Sequence, residues 1–456
     1  MNPLEIRSLI GLVSLYATRM LGLFMVLPVL SLYGSDYSGS TTFLIGLALG
    51  IYGLTQSLFQ IPLGLLSDRI GRKQVIIGGM LLFLVGSVVA ALAESVYGLI
   101  AGRALQGAGA VASAVMALLS DLTTEQNRTK AMAAVGGSIG LSFALAMILG
   151  PVLAGAAGVD AIFWLTALLA LVGVGAVLWY IPAPAASRRI TAREALPVPK
   201  LFGQTLTNGE LLRLDWGIFS LHMIQMASWV SVPVILKEVL GFGIQQHWWV
   251  YLLTMGGGFV AMLPFMLFAE RRHQLKPMFL VAIGLLGIAE LVLFARSGLL
   301  GWFVAGLFLF FMAFNLLEAS LPSLVSKVAP SGSRGTAMGI YSSSQFLGTF
   351  AGGLLGGWAA QHFGVQAVFG FSALAAVVWL VVAATMPVPR HWASLVVELE
   401  GDEPAVMDLN VAEAVAGIED VVVLPDQKLA YFKVDKAVFD QAALEKVLGR
   451  PLPVRV

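Results

Sequence analysis

From Ser8 to Pro387 the chain is a succession of apolar runs separated by short polar turns. Each run is roughly 20 residues long, enough for an α-helix to cross about 30 Å of bilayer hydrocarbon with every backbone N–H and C=O paired inside the segment. Twelve such runs are drawn, near 8-33, 42-66, 74-93, 96-119, 130-156, 161-181, 214-238, 246-268, 277-295, 299-325, 335-358 and 365-387. Only 12% of the 456 residues are charged and 58% are hydrophobic, too little polar surface for a soluble domain of this size. The fold class expected here is an all-α membrane protein with 12 transmembrane helices in two six-helix bundles.

The first run follows a single charged pair, Glu5 and Arg7, has no small-residue cleavage site, and reads as a retained first helix. Sixteen Lys and Arg residues fall in the loops on the side of the N-terminus, against Lys237 and Arg296 opposite, which places both termini in the cytoplasm. With no cysteine, disulfides, thiolate metal sites and cysteine nucleophiles are excluded. The helices carry no paired carboxylates, metal-ligand cluster or nucleophile constellation, and the chain has no GxxxxGK[ST] loop. Neither an enzyme nor a cofactor or metal is expected.

A Pro- and Arg-containing connection divides the spans six and six, giving an N-terminal bundle 1-181, a linker 182-213 and a C-terminal bundle 214-388. LLSD(x6)RTKAM at Leu118 to Met132 aligns without gaps on LVSK(x6)RGTAM at Leu324 to Met338, and Gly150 then falls on Gly356. Duplicated halves of this kind place a substrate path at their interface, near the membrane midplane. After Pro389 the balance reverses: residues 393-456 carry 12 acids and 6 bases. Ser394 to Leu399, Val421 to Leu424 and Leu429 to Val434 alternate like strands, while Asp408 to Ala416 and Phe439 to Leu448 read as helices. With a short strand at Val454 to Val456 the order would complete a small α+β ferredoxin-like C-terminal domain, on the cytoplasmic side. It lacks Cys, His and an aromatic pair on a basic strand, so metal and nucleic acid are not expected partners.

Between the second and third runs lies GLLSDRIGRK, with four charges in ten residues. Gly64 permits close helix approach, Gly71 a sharp turn, and Arg69, Arg72 and Lys73 anchor the turn at headgroups. Asp68 serves no topological purpose there. Gly64-x-x-x-Asp68-Arg69-x-Gly71-Arg72-Lys73 resembles the signature loop of the major facilitator superfamily at every defining position. Arg103-Ala-Leu-Gln106-Gly107 is similar to that family's second motif, and Gly150-Pro151 with Gly155 to its antiporter motif, although Ala154 replaces a usual glycine. With LGLFMVLPVLSLYG, YGLTQSLFQIP and FNLLEASLPSL, the chain resembles a bacterial drug-antiporter-like member that carries a ferredoxin-like tail. The resemblance implies alternating access in a bacterial inner membrane, and a conformational gate made by the signature loop with Asp121 and Arg128. In that gate Asp68 caps the start of the eleventh helix near Ser331 to Gly335, and Arg72 meets Asp121. The corresponding second-half loop, Ala269 to His273, is degenerate, so an asymmetric gate is expected.

Ionisable residues inside a membrane are costly, and Arg19, Arg103, Glu290 and Glu318 stand out. Desolvation favours a neutral carboxyl, so Glu318 in an apolar cavity can take up a proton from one side and release it on the other; alternatively it is a permanent link between helices. Asn315 and Pro322 share its face. Arg19 either faces the cavity or reaches to the interface, Arg103 pairs in spacing with Gln106, and Glu290 suits a packing role. His222, Gln225, Met226 and Trp229 form one stripe and Tyr52, Gln56 and Gln60 another, either cargo contacts or helix packing. Trp248, Trp249 and Tyr251 read as an interfacial aromatic belt. The function expected is proton-coupled antiport of a small amphiphilic organic compound by a monomer, with Glu318, Arg19, Arg103 and His222 as coupling residues. A proton-linked or facilitative metabolite carrier, and a non-transporting sensor signalling through its tail, stand as alternatives.

Overall fold

The computed structural model describes residues 1–182, 203, 205–271, 275–329, 334–387, 392–398, 415–424, 429–435 and 438–448. Helix α1 (Pro3–Met25) starts in a capping box, Asn2 Oδ1 accepting from Glu5 N and Glu5 Oε2 from Asn2 N, both at 2.8 Å. α2 (Leu27–Tyr33) prolongs the same span beyond a break at Val26. α3 (Thr42–Ile70) is capped by Thr41 and stopped by Gly71, whose φ of 109° only glycine adopts freely. α4 (Arg72–Ala91) returns, and α5 (Val96–Ala108) with α6 (Ala112–Leu122) makes one span interrupted at Gly109. α7 (Glu125–Ala157) and α8 (Val159–Gly175) close the first half.

The second half comprises α9 (Gly209–Val234), α10 (His247–Arg271), α11 (Leu275–Arg296), α12 (Leu300–Val328), α13 (Arg334–Phe363) and α14 (Ala367–Ala384). In the first half Gly150 of α7 abuts the Met25 carbonyl of α1; in the second, a Cβ on Gly356 of α13 would meet Ala227 Cα of α9 at 2.8 Å. The aligned glycines thus pack the same pair of helices in each half.

Two features of the expected fold class are corrected. Eleven described helical segments, not twelve, are both long and apolar enough to cross a membrane. The exception is α13, which has 30 residues but is too rich in Gly, Ser, Thr and Gln. Its position explains this composition. Gly348, Gly352 and Gly356 lie on α9 at every fourth residue, and Gly353 and Gly357 lie on Gly46 and Gly50 of α3. A helix wedged between two others needs small side chains more than greasy ones, because backbone approach replaces lipid contact.

The second correction concerns the tail, which the described residues do not form into a ferredoxin-like sandwich. They form an antiparallel sheet of β1 (Trp392–Glu398), β2 (Ile418–Leu424) and β3 (Leu429–Asp435) in the order β1-β3-β2, followed by α15 (Gln441–Leu448). Leu395, Val397, Ala430, Phe432 and Val434 alternate onto one face against Leu444. Most of the helix expected at Asp408 to Ala416 and all of the strand at Val454 to Val456 lie outside the described residues. Alternation identifies strands, but it does not supply the second helix and fourth strand that a sandwich needs.

Candidate functional site

In the first half the polar side chains converge on Tyr52. Arg19 Nη2 donates to Tyr52 Oη at 3.0 Å, to Gln56 Oε1 at 2.8 Å and to the Gly109 carbonyl at 3.2 Å. Gln56 Nε2 donates onward to Gln60 Oε1 at 3.1 Å. Arg19 neither opens to a cavity nor reaches the interface; it is 1% exposed inside the half, 5.4 Å above the Phe83 ring. Arg103 is fully buried, donates to Gln106 Oε1 at 2.8 Å, and lies 5.4 Å from the centroid of the Tyr52 ring. Gln106 Nε2 passes the chain to Ser87 Oγ at 2.8 Å. Neither guanidinium has a carboxylate partner among the described residues, so neutral acceptors and ring faces offset the charge.

The second half holds the acids. Glu318 of α12 lies beside His222 of α9 and Gln345 of α13. Gln345 Nε2 is 2.8 Å from His222 Nε2 and 3.3 Å from Glu318 Oε1, and His222 Nε2 is 3.8 Å from Glu318 Oε2. His222 Nδ1 sits 3.3 Å from the Ile218 carbonyl; a proton there leaves Nε2 to accept from Gln345. The Glu318 side chain keeps 38% of its surface accessible, while Oε2 has no hydrogen-bond partner among the described residues. Gln225 and Asn315 are half-buried nearby in sequence. Glu290 is fully buried and accepts from Ser228 Oγ at 2.9 Å, which fits a packing role.

The loop after α3 forms the third cluster. Arg72 pairs with Asp68, donates to Ser67 Oγ at 2.7 Å and meets Asp121 Oδ2 at 3.3 Å. Lys73 Nζ donates to the Ile181 carbonyl at 2.9 Å, and Gly64 lies against Ser113, where a Cβ would be 2.9 Å from Oγ. Arg69 is exposed. Ser331 to Ser333, expected opposite Asp68, and the Arg128 side chain lie outside the described residues.

With this geometry in place, comparison by sequence is decisive: the major facilitator superfamily model matches residues 12–271 and 214–424. The chain belongs to the major facilitator superfamily. It is 47% identical over 449 residues to the inner membrane transport protein YajR of Escherichia coli, covering 98% of each chain. It is 26% identical over 352 residues to the multidrug resistance protein MdtH of Yersinia enterocolitica, covering 74% of this chain and 83% of that one. The superfamily fold recurs in a bacterial homologue of the human lysosomal transporter Spinster at TM-score 0.69 and 14% identity, covering 86% and 99%. It recurs also in the human organic anion transporter MFSD10 at TM-score 0.61 and 21% identity, covering 84% and 100%.

The superfamily's two halves meet in this structure at the end away from the basic loops. Phe43 N donates to Gln361 Oε1 at 3.0 Å and Ser31 Oγ to the Trp229 carbonyl at 3.1 Å. Trp229 is not placed as a cargo contact; it packs on Phe143 across the halves and on Tyr251, with centroids 6.3 and 5.3 Å apart. Tyr251 is therefore core, not belt, being fully buried; only Trp248 of that trio is well exposed. Gly155 faces the same end, a Cβ there meeting Gln245 at 3.2 Å, and Pro151 sits within α7. Sequence reasoning missed Gln345, Tyr341 and Asp215. Its available signals were the polar run Ser342 to Gln345 inside an apolar helix and an acid near the very start of the seventh run.

Proposed function

We propose that this transporter exports a small amphiphilic organic compound in exchange for protons, as a monomer in the bacterial inner membrane with both termini in the cytoplasm. The observation that carries this reading is Glu318: a carboxyl within α12 whose side chain keeps 38% of its surface accessible, with one oxygen unpaired beside His222 and Gln345. Such a group can bind and release a proton as access alternates. Arg19 and Arg103 hold the opposing half positive, so the charge state of Glu318 changes how the halves attract. The relationship to a multidrug resistance protein favours an amphiphilic cargo, for which the half-buried Gln225 and Asn315 offer hydrogen bonds among apolar walls, while Tyr52, Gln56 and Gln60 stay engaged in the buried Arg19 network.

Domains follow the same reading: bundles 1-181 and 214-388 rock about a linker, 182-213, and residues 393-456 form a cytoplasmic appendage. The Gly64 to Lys73 loop with Asp121 latches the cytoplasmic side, and Gly150, Pro151 and Gly155 set the α7 packing that an antiporter needs. The test uses purified protein in proteoliposomes with ethidium as the cargo probe and an imposed pH gradient. Wild type accumulates ethidium in proportion to the gradient, and Glu318→Gln abolishes that dependence. Gradient-driven accumulation that survives Glu318→Gln overturns the reading.

A further inference from the structure

We infer that Tyr341 and Asp215 carry the proton between Glu318 and the basic end of the bundle. This rests on the proton-coupled reading above and names its path. Gly348 of α13 lies on the Phe219 carbonyl of α9, and Gly352 on the Met223 carbonyl, so the two helices run parallel and in step. One turn nearer the basic end, Asp215 is level with Ser344, between Tyr341 and Gln345 in sequence. Gln345 already touches Glu318 at 3.3 Å, and Tyr341, four residues earlier, lies on the same face one turn closer to the loops.

Tyr341 is 3% exposed and its hydroxyl has no hydrogen-bond partner among the described residues. Asp215 precedes Phe219 and Met223 by one and two turns on the α9 face whose carbonyls meet Gly348 and Gly352, so it faces the α13 turn that carries Tyr341. Glu318 Oε2 is likewise unpaired, and Asp215 is 7% exposed in the second turn of α9. An unpaired buried hydroxyl is costly and therefore ready to take a partner. One turn from the Gln345 that touches Glu318 and across from the α9 turn that holds Asp215, its hydroxyl can both accept and donate a proton. His222, on the same face of α9 as Asp215, is engaged by Gln345 and the Ile218 carbonyl and does not obstruct the step.

The transfer balances without a further reactant. The Glu318 O–H bond breaks as its proton joins Tyr341 Oη, while the Tyr341 O–H bond breaks as that proton joins an Asp215 oxygen. Rotation of the neutral phenol resets the relay. Asp215 then exchanges with water at the basic end.

The relay is testable without knowing the cargo. A pH jump on the full-length protein is followed by the infrared stretch of protonated carboxyls, and Glu318→Gln assigns the Glu318 band. Tyr341→Phe and Asp215→Asn are expected to slow the appearance of that band about tenfold or more, with its final amplitude unchanged. Asp215→Glu restores the rate. A wild-type rate in Tyr341→Phe overturns the relay, as does a changed amplitude at an unchanged rate, which marks a structural role. If no band disappears in Glu318→Gln, the proton-coupled reading itself fails, an outcome distinct from failure of the relay alone.

Discussion

Closure at the end away from the basic loops depends on α3 and α13 touching backbone to backbone, and Gly50→Val tests this directly. A Cβ on Gly50 would stand 2.7 Å from the Phe350 carbonyl oxygen and 3.2 Å from its Cα, with Gly353 directly opposite. Both contacts are to backbone, so no side chain can swing aside. The helices must part by several tenths of an ångström, and overpacking of this kind costs about 1–3 kcal/mol. The cost falls on the conformation in which the two helices meet and is absent where they separate. At 1.4 kcal/mol per factor of ten, the balance moves by about 5- to 150-fold toward the alternative state. The chain contains no cysteine, so Thr349→Cys on α13 is a unique reporter in an otherwise native background. An impermeant maleimide applied from that end should label the reporter faster in Gly50→Val by a factor in the same range. Gly78→Ala, where no atom lies within 4 Å of the new Cβ, is the control and should change nothing. Unchanged labelling in a folded Gly50→Val protein would refute the claim that this helix pair holds the closure.

Four further outcomes follow from the loop contacts, the start of α1 and the tail. Asp121→Asn takes from Arg72, whose side chain is 10% accessible, the more buried of its two carboxylate partners while Asp68 and Ser67 remain; about 1–3 kcal/mol of stability and most transport should be lost, read by thermal unfolding and ethidium flux. Asp68 is 31% accessible, so Asp68→Asn should cost less than about 1 kcal/mol and leave insertion intact while depressing transport; full transport would remove it from the latch. Glu5 is 2% exposed and accepts from Thr124 N at 2.7 Å and Asn127 Nδ2 at 3.2 Å, so Glu5→Ala should destabilise by about 1–3 kcal/mol, with little response of the melting temperature to added salt. Deleting residues 393-456 should alter transport or its dependence on ionic strength if the tail regulates; a change in melting temperature alone would make it a stability element.

Membrane immersion was legible in the sequence because the requirement for internally paired backbone imposes a length on every span. The contact between Arg72 and Asp121 could be anticipated only through resemblance, since nothing in the spacing brings residues 49 apart together. Arg19 shows a different limit. Its position about four turns into α1 says that its charge is costly, but not that Tyr52, Gln56 and the Gly109 carbonyl surround it inside one half. Gln345 escaped notice because a neutral amide carries no penalty visible in composition, although it is the side chain that joins Glu318 to His222. Trp229 and Tyr251 misled for the opposite reason: an aromatic ring serves a lipid interface and a packed seam equally well, and only burial separates the two.

The helix that fails the apolarity requirement is also the one that binds both halves together, and these are consequences of one constraint. Hydropathy measures how well a segment replaces water with lipid, whereas two faces of α13 meet the α3 and α9 backbones and only a third, with Leu347, Leu355 and Trp358, is left exposed. What such a helix must offer is closeness, and glycine every fourth residue supplies it at the expense of side-chain burial. The same glycines leave no interdigitating side chains to unlock when α3 and α13 part, so separation needs little repacking. They also bring Tyr52 of the cationic network to 6.3 Å from Phe346, the residue after Gln345 of the acidic one. The Arg19–Tyr52 network of one half and the Glu318–Gln345 pair of the other therefore lie on either side of this backbone contact. A span that composition alone would leave out is in this way the element whose backbone joins α9 of its own half to α3 of the other.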